Sequence, residues 1–458
     1  MGVPGRINVG GPWLEPIIDK LLRVDKDGRL VPHLIESWEY SKDGLMLTLN
    51  ARKGVKFHDG TDFNAEAVKW NLLKARETNG TLQLLSSIDV VAEYQARINM
   101  KSFDNHFLPT LAYNGGFVLS PTAYQTFGEE YCMVHPVGAG PFKFVDYETD
   151  VKLTFQRFED YWQKGKPYLD KIEMLFMKDM KTAVTTLKEG KVDAVVNING
   201  ESAAELKSDG YVITSLPWTM EGLLPDTLNY DSILADKRVR QAIEYAIDRP
   251  AIIKALGHGY WKPLNQLATE KVCGYNPDII GRPYNPEKAK QLLAEAGYPS
   301  GFKTKLIGGE GTELKNIFTA VQGYLAAVGI KAEIEIADPE LWKQYRANKP
   351  WHNAMLFRHF SSDPNFTWSL FDFHTAREYG QTSVLRNFDD ILNEALQARD
   401  SETMVKTTRK VVKHIYDDAI VIPLMLDSGI SAASKKVHGL GFFEDHLMQW
   451  TPWNTWLE

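Results

Sequence analysis

Leu45, Leu47, Leu49 and Ala51 fall on alternate positions, the period of a half-buried strand. Val151, Leu153 and Phe155 repeat that pattern ahead of Tyr161-Trp162, and Ile330, Ala332, Ile334 and Ile336 repeat it again. Elsewhere the apolar spacing lengthens to that of a helix. Val239, Ala242, Ile243 and Ala246 make one face behind Asp236, a residue able to cap. Ile317, Val321, Tyr324 and Leu325 predict a helix closed by Gly329. Ala289, Leu292, Leu293 and Ala296 predict another, with Asn285 as cap, Pro286 in the first helical position and Gly297 then Pro299 beyond its end. Asn64 can cap a further helix. Nearer the start, Arg6–Val9 predicts a short strand, and Leu14–Leu22 predicts a helical stretch before the turn at 25–29. From residue 236 onward helices and strands alternate, which predicts an α/β fold with a mostly parallel sheet covered by helices.

Several of these segments carry motifs. Tyr284-Asn285-Pro286-Glu287-Lys288-Ala289-Lys290-Gln291-Leu292-Leu293-Ala294-Glu295-Ala296-Gly297-Tyr298 is the longest. Before it, in order, come Gly28-Arg29-Leu30-Val31-Pro32-His33-Leu34-Ile35-Glu36-Ser37-Trp38, then Val55-Lys56-Phe57-His58-Asp59-Gly60, Pro136-Val137-Gly138-Ala139-Gly140-Pro141-Phe142, and Asp236-Lys237-Arg238-Val239-Arg240-Gln241-Ala242-Ile243. Together they resemble the signatures of the family 5 extracellular solute-binding proteins, the capture subunits of ABC importers for peptides, nickel complexes and similar solutes. The resemblance spans nearly the whole chain.

That resemblance implies a two-lobed periplasmic-binding-protein (Venus flytrap) fold of the type II, cluster C-like kind. Lobe I is expected from residues 1–228 plus 430–458, with an inserted subdomain at about 28–145, and lobe II from 229–429. The chain is expected to cross between lobes near 228–230 and 427–432. A solute held between two such lobes favours their closed arrangement. The implied partners are a small-molecule or peptide ligand and the permease subunits, for a monomer working in the periplasm or lipid-anchored outside the cell. One departure stands out: the loop after the first strand is short, since Gly11 meets Pro12-Trp13 almost at once.

Bulk properties narrow the picture further. With 458 residues the chain exceeds what one core usually holds, so two or more compact units are expected. A formal charge of −7 provides no basic excess for binding nucleic acid. No apolar run is long enough to span a membrane, and Met1-Gly-Val-Pro-Gly-Arg has no signal-peptide stretch, so a mature form is expected. Cys132 and Cys273 have no metal or redox spacing, and two free thiols are the expectation.

No catalytic motif is present: there is no G-x-S-x-G, H-E-x-x-H, Walker loop or dinucleotide fingerprint. The twelve tryptophans and many carboxylates leave a carbohydrate hydrolase as the alternative, although no acid pair is nominated. The ligand-binding candidates gather around Arg358, His359 and Phe360, whose segment resembles a cleft-facing stretch of the family. Peptide-binding members have an aspartate where Phe360 stands, so its absence weighs against a peptide and toward nickel or a metal chelate as cargo. His374, with Arg377 close by, and His446 are the candidate metal-linked histidines, since imidazole suits nickel. Neither nickel nor any other cofactor is expected as a resident group. Trp13, Tyr113, Asn114, Trp218 and Trp450 complete the candidate ligand set, while at least two of Trp450, Trp453 and Trp456 are expected to be buried.

Overall fold

The computed structural model describes residues 14–25, 27–227, 229–347, 351–361, 388–442 and 450–458. The helices fall where capping and spacing put them. Asn64 accepts from the Ala67 amide to start Ala65–Arg76, Asp236 accepts from Arg238 to start Lys237–Ala246, and Asn285 accepts from Lys288 to start Pro286–Glu295. The last of these ends before Gly297, whose φ of 93° lies in the left-handed region open to glycine. Thr312–Ala327 precedes the strand Lys331–Ala337 as expected. The predicted strand 6–9 lies outside the described residues.

The predicted helix over Leu14–Leu22 is not formed. The amides of Ile17 and Ile18 turn back to the Leu14 carbonyl, and the chain then straightens into the strand Leu22–Val24. Pro16 accounts for this, because it has no amide to donate and its ring obstructs a continuing helix. The carbonyls of Pro16 and Ile17 are instead taken by the amides of Phe142 and Gly140.

The described residues divide into two compact units, one drawn from Met1–Leu216 and Ile430–Glu458, the other from Pro217–Gly429. In the first unit, Ile35–Tyr40, Met46–Ala51, Gln95–Met100 and Leu85–Ala92 form a four-stranded antiparallel sheet in that order. Leu47, Leu49, Ala96 and Ile98 share its buried face with Val68 and Leu72 of the helix Ala65–Arg76. Leu45 lies just before its strand and is exposed. A second antiparallel sheet joins Phe142–Glu148, Lys152–Arg157 and Lys171–Leu175.

Two of the sequence motifs meet in this unit. His58 Nδ1 accepts from the Gly138 amide at 3.3 Å, and its Nε2 donates to the Gly140 carbonyl at 2.9 Å. An amide can only donate and a carbonyl can only accept, so both contacts are made by one neutral tautomer. Burial holds the imidazole down to about 4, and nearby Lys143 acts in the same direction. A Cβ on Gly138 would lie 2.1 Å from the Ile17 carbonyl oxygen, and one on Gly140 2.5 Å from the Ile17 carbonyl carbon. The glycines permit that close approach.

The unit also buries a charged group around its first residues. Lys20 pairs with Glu15, and Asp19 accepts from the Trp162 indole at 2.6 Å while meeting His33 Nε2 at 2.9 Å. Trp453 lies under the Arg23 guanidinium at 4.6 Å and stacks on His33 at 5.6 Å. Trp450 and Trp453 are buried, whereas Trp456 is exposed. Neither Cys132 nor Cys273 is in a disulfide.

In the second unit, Lys303–Gly309 runs parallel to both Lys331–Ala337 and Ala354–Ser361. Ala354–Ser361 then pairs antiparallel with Val212–Pro225, and Ile422–Ala433 lies beyond that strand. The sheet is therefore mixed, not mostly parallel. Leu223, Leu306, Met355 and Phe357 face the helices Lys237–Ala246, Pro286–Glu295 and Thr312–Ala327. Met220, Leu224, Leu356 and Phe360 face Val411, Val412 and Ile415 of Ser401–Asp417. The unit boundaries at 216/217 and 429/430 fall inside the two long strands Val212–Pro225 and Ile422–Ala433. The first lies earlier than the expected crossing at 228–230.

The D-K-R-V-R-Q motif serves this packing. Arg240 donates to the carbonyls of Leu234, Ala235, Asp418 and Ala419. Glu244, one turn on, accepts from one guanidinium nitrogen of the buried Arg282 on both carboxylate oxygens, at 3.0 and 3.1 Å, while the other terminal nitrogen donates to the Tyr416 carbonyl.

Candidate functional site

Glu221 sits in an apolar strand sequence, Met220-Glu221-Gly222-Leu223-Leu224, directly opposite His359 in the antiparallel pairing. Side chains alternate along a strand, so Glu221 and His359 continue the face that carries Leu223 and Phe357. His359 Nδ1 meets Glu221 Oε1 at 2.9 Å, and the imidazole stands edge-on to Phe357 with centroids 5.2 Å apart. The carboxylate is buried at 6% exposure, but the histidine side chain remains 60% exposed. A buried acid on an apolar strand is rare unless something pairs with it.

Two further carboxyls lie within its field. Asp427, on Ile422–Ala433, accepts from the Ser428 amide at 2.7 Å. Burial and then the Glu221 charge push Asp427 up to about 6, against the pull of the Ser428 amide, the neighbouring Trp261 and His359. Glu313 occupies the first turn of Thr312–Ala327, where the helix dipole favours an acid. Loss of hydration, followed by the charges of Asp427 and Glu221, nevertheless pushes it up to about 7.

The position is set by topology. Lys303–Gly309 and Ala354–Ser361 run parallel, and Glu313 follows the carboxyl end of the first while His359 lies near the carboxyl end of the second. Carboxyl ends of parallel strands are where open α/β sheets bind ligands. Glu221 and His359 are in contact there, and Asp427 and Glu313 lie within electrostatic reach of Glu221. That arrangement suits a ligand ammonium or another cationic group.

The sequence-derived candidates are dispersed. His359 belongs to this group. Phe360, next to it, faces the opposite side and is buried in the core at 4% exposure beside Met220 and Leu356. Its lack of a carboxyl therefore says nothing about ammonium recognition, which corrects the inference drawn from that position. Arg358 is partly buried, its guanidinium 5.8 Å from the Phe360 ring. Trp450, a ligand-binding candidate, is 4% exposed, stacked on Phe442 at 4.4 Å, and its indole donates to the Leu440 carbonyl. Tyr113 and Asn114 are partly buried in the first unit, where Asn114 accepts from Asn79 at 3.3 Å. Trp218 lies on the strand Val212–Pro225. Trp13, His374, Arg377 and His446 lie outside the described residues.

Among the described residues no three His, Cys, Asp or Glu side chains are grouped to hold a metal ion, and no helix is long and apolar enough to cross a membrane. Sequence reasoning missed Glu221, Glu313 and Asp427. An acid interrupting an apolar strand was the available signal for the first.

Comparison with known proteins gives a consistent set of relatives. The chain is 30% identical to the glutathione-binding protein GsiB of Escherichia coli O1:K1 / APEC, over 93% of this chain and 86% of that one. It superposes with a TM-score of 0.82 and 26% identity on the periplasmic binding protein AgaA of A. tumefaciens R10, solved with agropinic acid, covering 98% and 94% of the two chains. NikA of Brucella suis, solved with Fe(III)-EDTA, shares the fold at a TM-score of 0.88, 22% identity, and 99% and 96% coverage. The ABC transporter-associated DppA of Helicobacter pylori, solved with the peptide STSA, does so at 0.84, 24%, and 99% and 95%. The chain thus has the α/β fold of the periplasmic binding proteins, and nothing among these relatives supports a hydrolase. Residues 29–379 match the model of the bacterial extracellular solute-binding proteins, family 5, so the chain belongs to that family, the substrate-binding proteins of ABC importers.

Proposed function

We propose that this protein captures a short peptide or peptide-like compound through its free ammonium group and passes it, unaltered, to a membrane permease outside the cytoplasm. The observation that carries this reading is the Glu221–His359 pair, with Asp427 and Glu313 in its field, at the carboxyl end of the parallel strands. An ammonium brought there exchanges water for charge-assisted hydrogen bonds and relieves the repulsion among the acids. The 30% identical glutathione-binding relative supports the same class, because glutathione is a small peptide with a free ammonium. Nickel or a metal chelate is the competing cargo, and the histidines nominated for it, His374 and His446, lie outside the described residues.

Calorimetry on unfolded, ligand-stripped and refolded protein tests the choice. Glutathione and mixed di- and tripeptides should bind at micromolar levels or tighter, whereas nickel with free histidine should give no heat. Binding of nickel–histidine with no response to peptides would reverse the assignment.

A further inference from the structure

The strand that carries Glu221 lies between the strand of His359 and that of Asp427. Glu221 is enclosed, so the part of the pair presented to solvent is the imidazole. That ring is fixed at two points. Its Nδ1 meets Glu221 Oε1 at 2.9 Å, and it stands at 90° to Phe357, whose own ring stands at 81° to the buried Phe318. A carboxylate accepts and cannot donate, so in the neutral imidazole the hydrogen sits on Nδ1 and the lone pair on Nε2. Among the described residues no hydrogen bond is made to Nε2. A carboxylate behind the ring also makes that lone pair more basic.

We infer that His359 is a specificity-determining residue for the solute: its Nε2 accepts a hydrogen bond from the ligand's cationic nitrogen, so the site takes an ammonium that carries N–H and discriminates against a quaternary one. This role rests on the reading of the Glu221 site given above. Attraction to carboxylates alone would not discriminate, because Coulomb attraction draws in any cation whatever its substituents. A lone pair on a fixed ring asks for a hydrogen in one direction. Covered by a ligand without that hydrogen, Nε2 would lose its water and gain no partner, and sites built to bond an N–H reject such analogues strongly.

The test titrates glutathione and its N,N,N-trimethyl derivative, which keeps the charge but has no N–H on that nitrogen, into the ligand-stripped protein by calorimetry. The parent should bind glutathione at least about tenfold more tightly, the scale of one hydrogen bond to a charged group. His359→Asn retains a donor toward Glu221 and lacks Nε2. It should bind glutathione about tenfold more weakly and the trimethyl form little changed, so the discrimination disappears. His359→Gln sets an amide oxygen near the place of Nε2 and should recover most of the affinity. Equal binding of the two forms by the parent, or binding of neither, overturns the inference, as does discrimination that survives His359→Asn. Glu221→Gln separates the two claims. If it weakens glutathione binding while His359→Asn changes neither affinity, the site stands and only the role of His359 falls. If Glu221→Gln leaves glutathione binding unchanged, the reading of the site falls as well. Circular dichroism establishes that each variant is folded. Nitrogen-resolved NMR of the parent requires no folded variant: in the neutral ring Nδ1 should carry the hydrogen, and the bare Nε2 should shift when glutathione binds. A hydrogen on Nε2, or an Nε2 resonance that bound glutathione leaves unmoved, overturns the inference even if His359→Asn does not fold.

Discussion

Glu221 and His359 meet at 2.9 Å across two paired strands, one partner buried and the other open to solvent. A fully enclosed pair would be structural. Here the acid is held within the sheet while its partner remains available, so a ligand cation can approach a carboxylate that is already fixed in place.

Replacing Glu221 with Gln keeps the shape and removes the charge. Affinity for free-ammonium peptides should drop at least about tenfold, the scale of one charge-assisted contact. Titration calorimetry measures it. Unchanged affinity would mean the ligand lies elsewhere.

Asp427 makes a sign-specific stability prediction. Its folded value, about 6, lies above the unfolded value near 4. The stability linked to that shift is complete below pH 4 and is lost as pH rises through about 6. Asp427→Asn should therefore be more stable than the parent at pH 8, by about 1–2 kcal/mol, and nearly equal to it at pH 4. Urea denaturation at the two pH values gives the comparison. A variant equally destabilised at both would contradict it.

His58 runs the other way. Its folded value of about 4 lies below the unfolded 6.5, so stability drops as pH falls between those values. Nitrogen-resolved NMR of the imidazole at pH 5.5 should find Nε2 protonated and Nδ1 bare, matching the contacts to Gly140 and Gly138. An imidazolium at that pH would refute the tautomer.

Phe360→Asp would install the acid that the family motif led us to expect. Because Phe360 is a core residue, the variant should lose about 4 kcal/mol or more of stability and gain no peptide affinity. Thermal unfolding combined with calorimetry reads both. A stable variant with tighter binding would show that the position faces the ligand.

Much of the fold was legible because period and punctuation agreed. Asn285, Pro286 and Gly297 bound their helix as spacing requires, and Leu47, Leu49 and Ala51 alternate into the core. Leu14–Leu22 failed because Pro16 outweighed an apolar run, and the mixed sheet escaped because pairing direction has no local signature. The site was harder to read. Glu221, Glu313 and Asp427 lie far apart in sequence and come together only through strand order and the helix that follows Lys303–Gly309. Phe360 misled because motif alignment gives a residue's register but not which face of the strand it takes.

Pairwise calorimetry of glutathione and a dipeptide against their N-acetylated forms tests the central claim most directly. The ligand-stripped protein should bind the free-ammonium forms and lose at least about tenfold in affinity for the acetylated ones, a difference that shrinks in Glu221→Gln. Equal binding of both forms, or binding that Glu221→Gln leaves unchanged, would contradict recognition of an ammonium by these carboxylates.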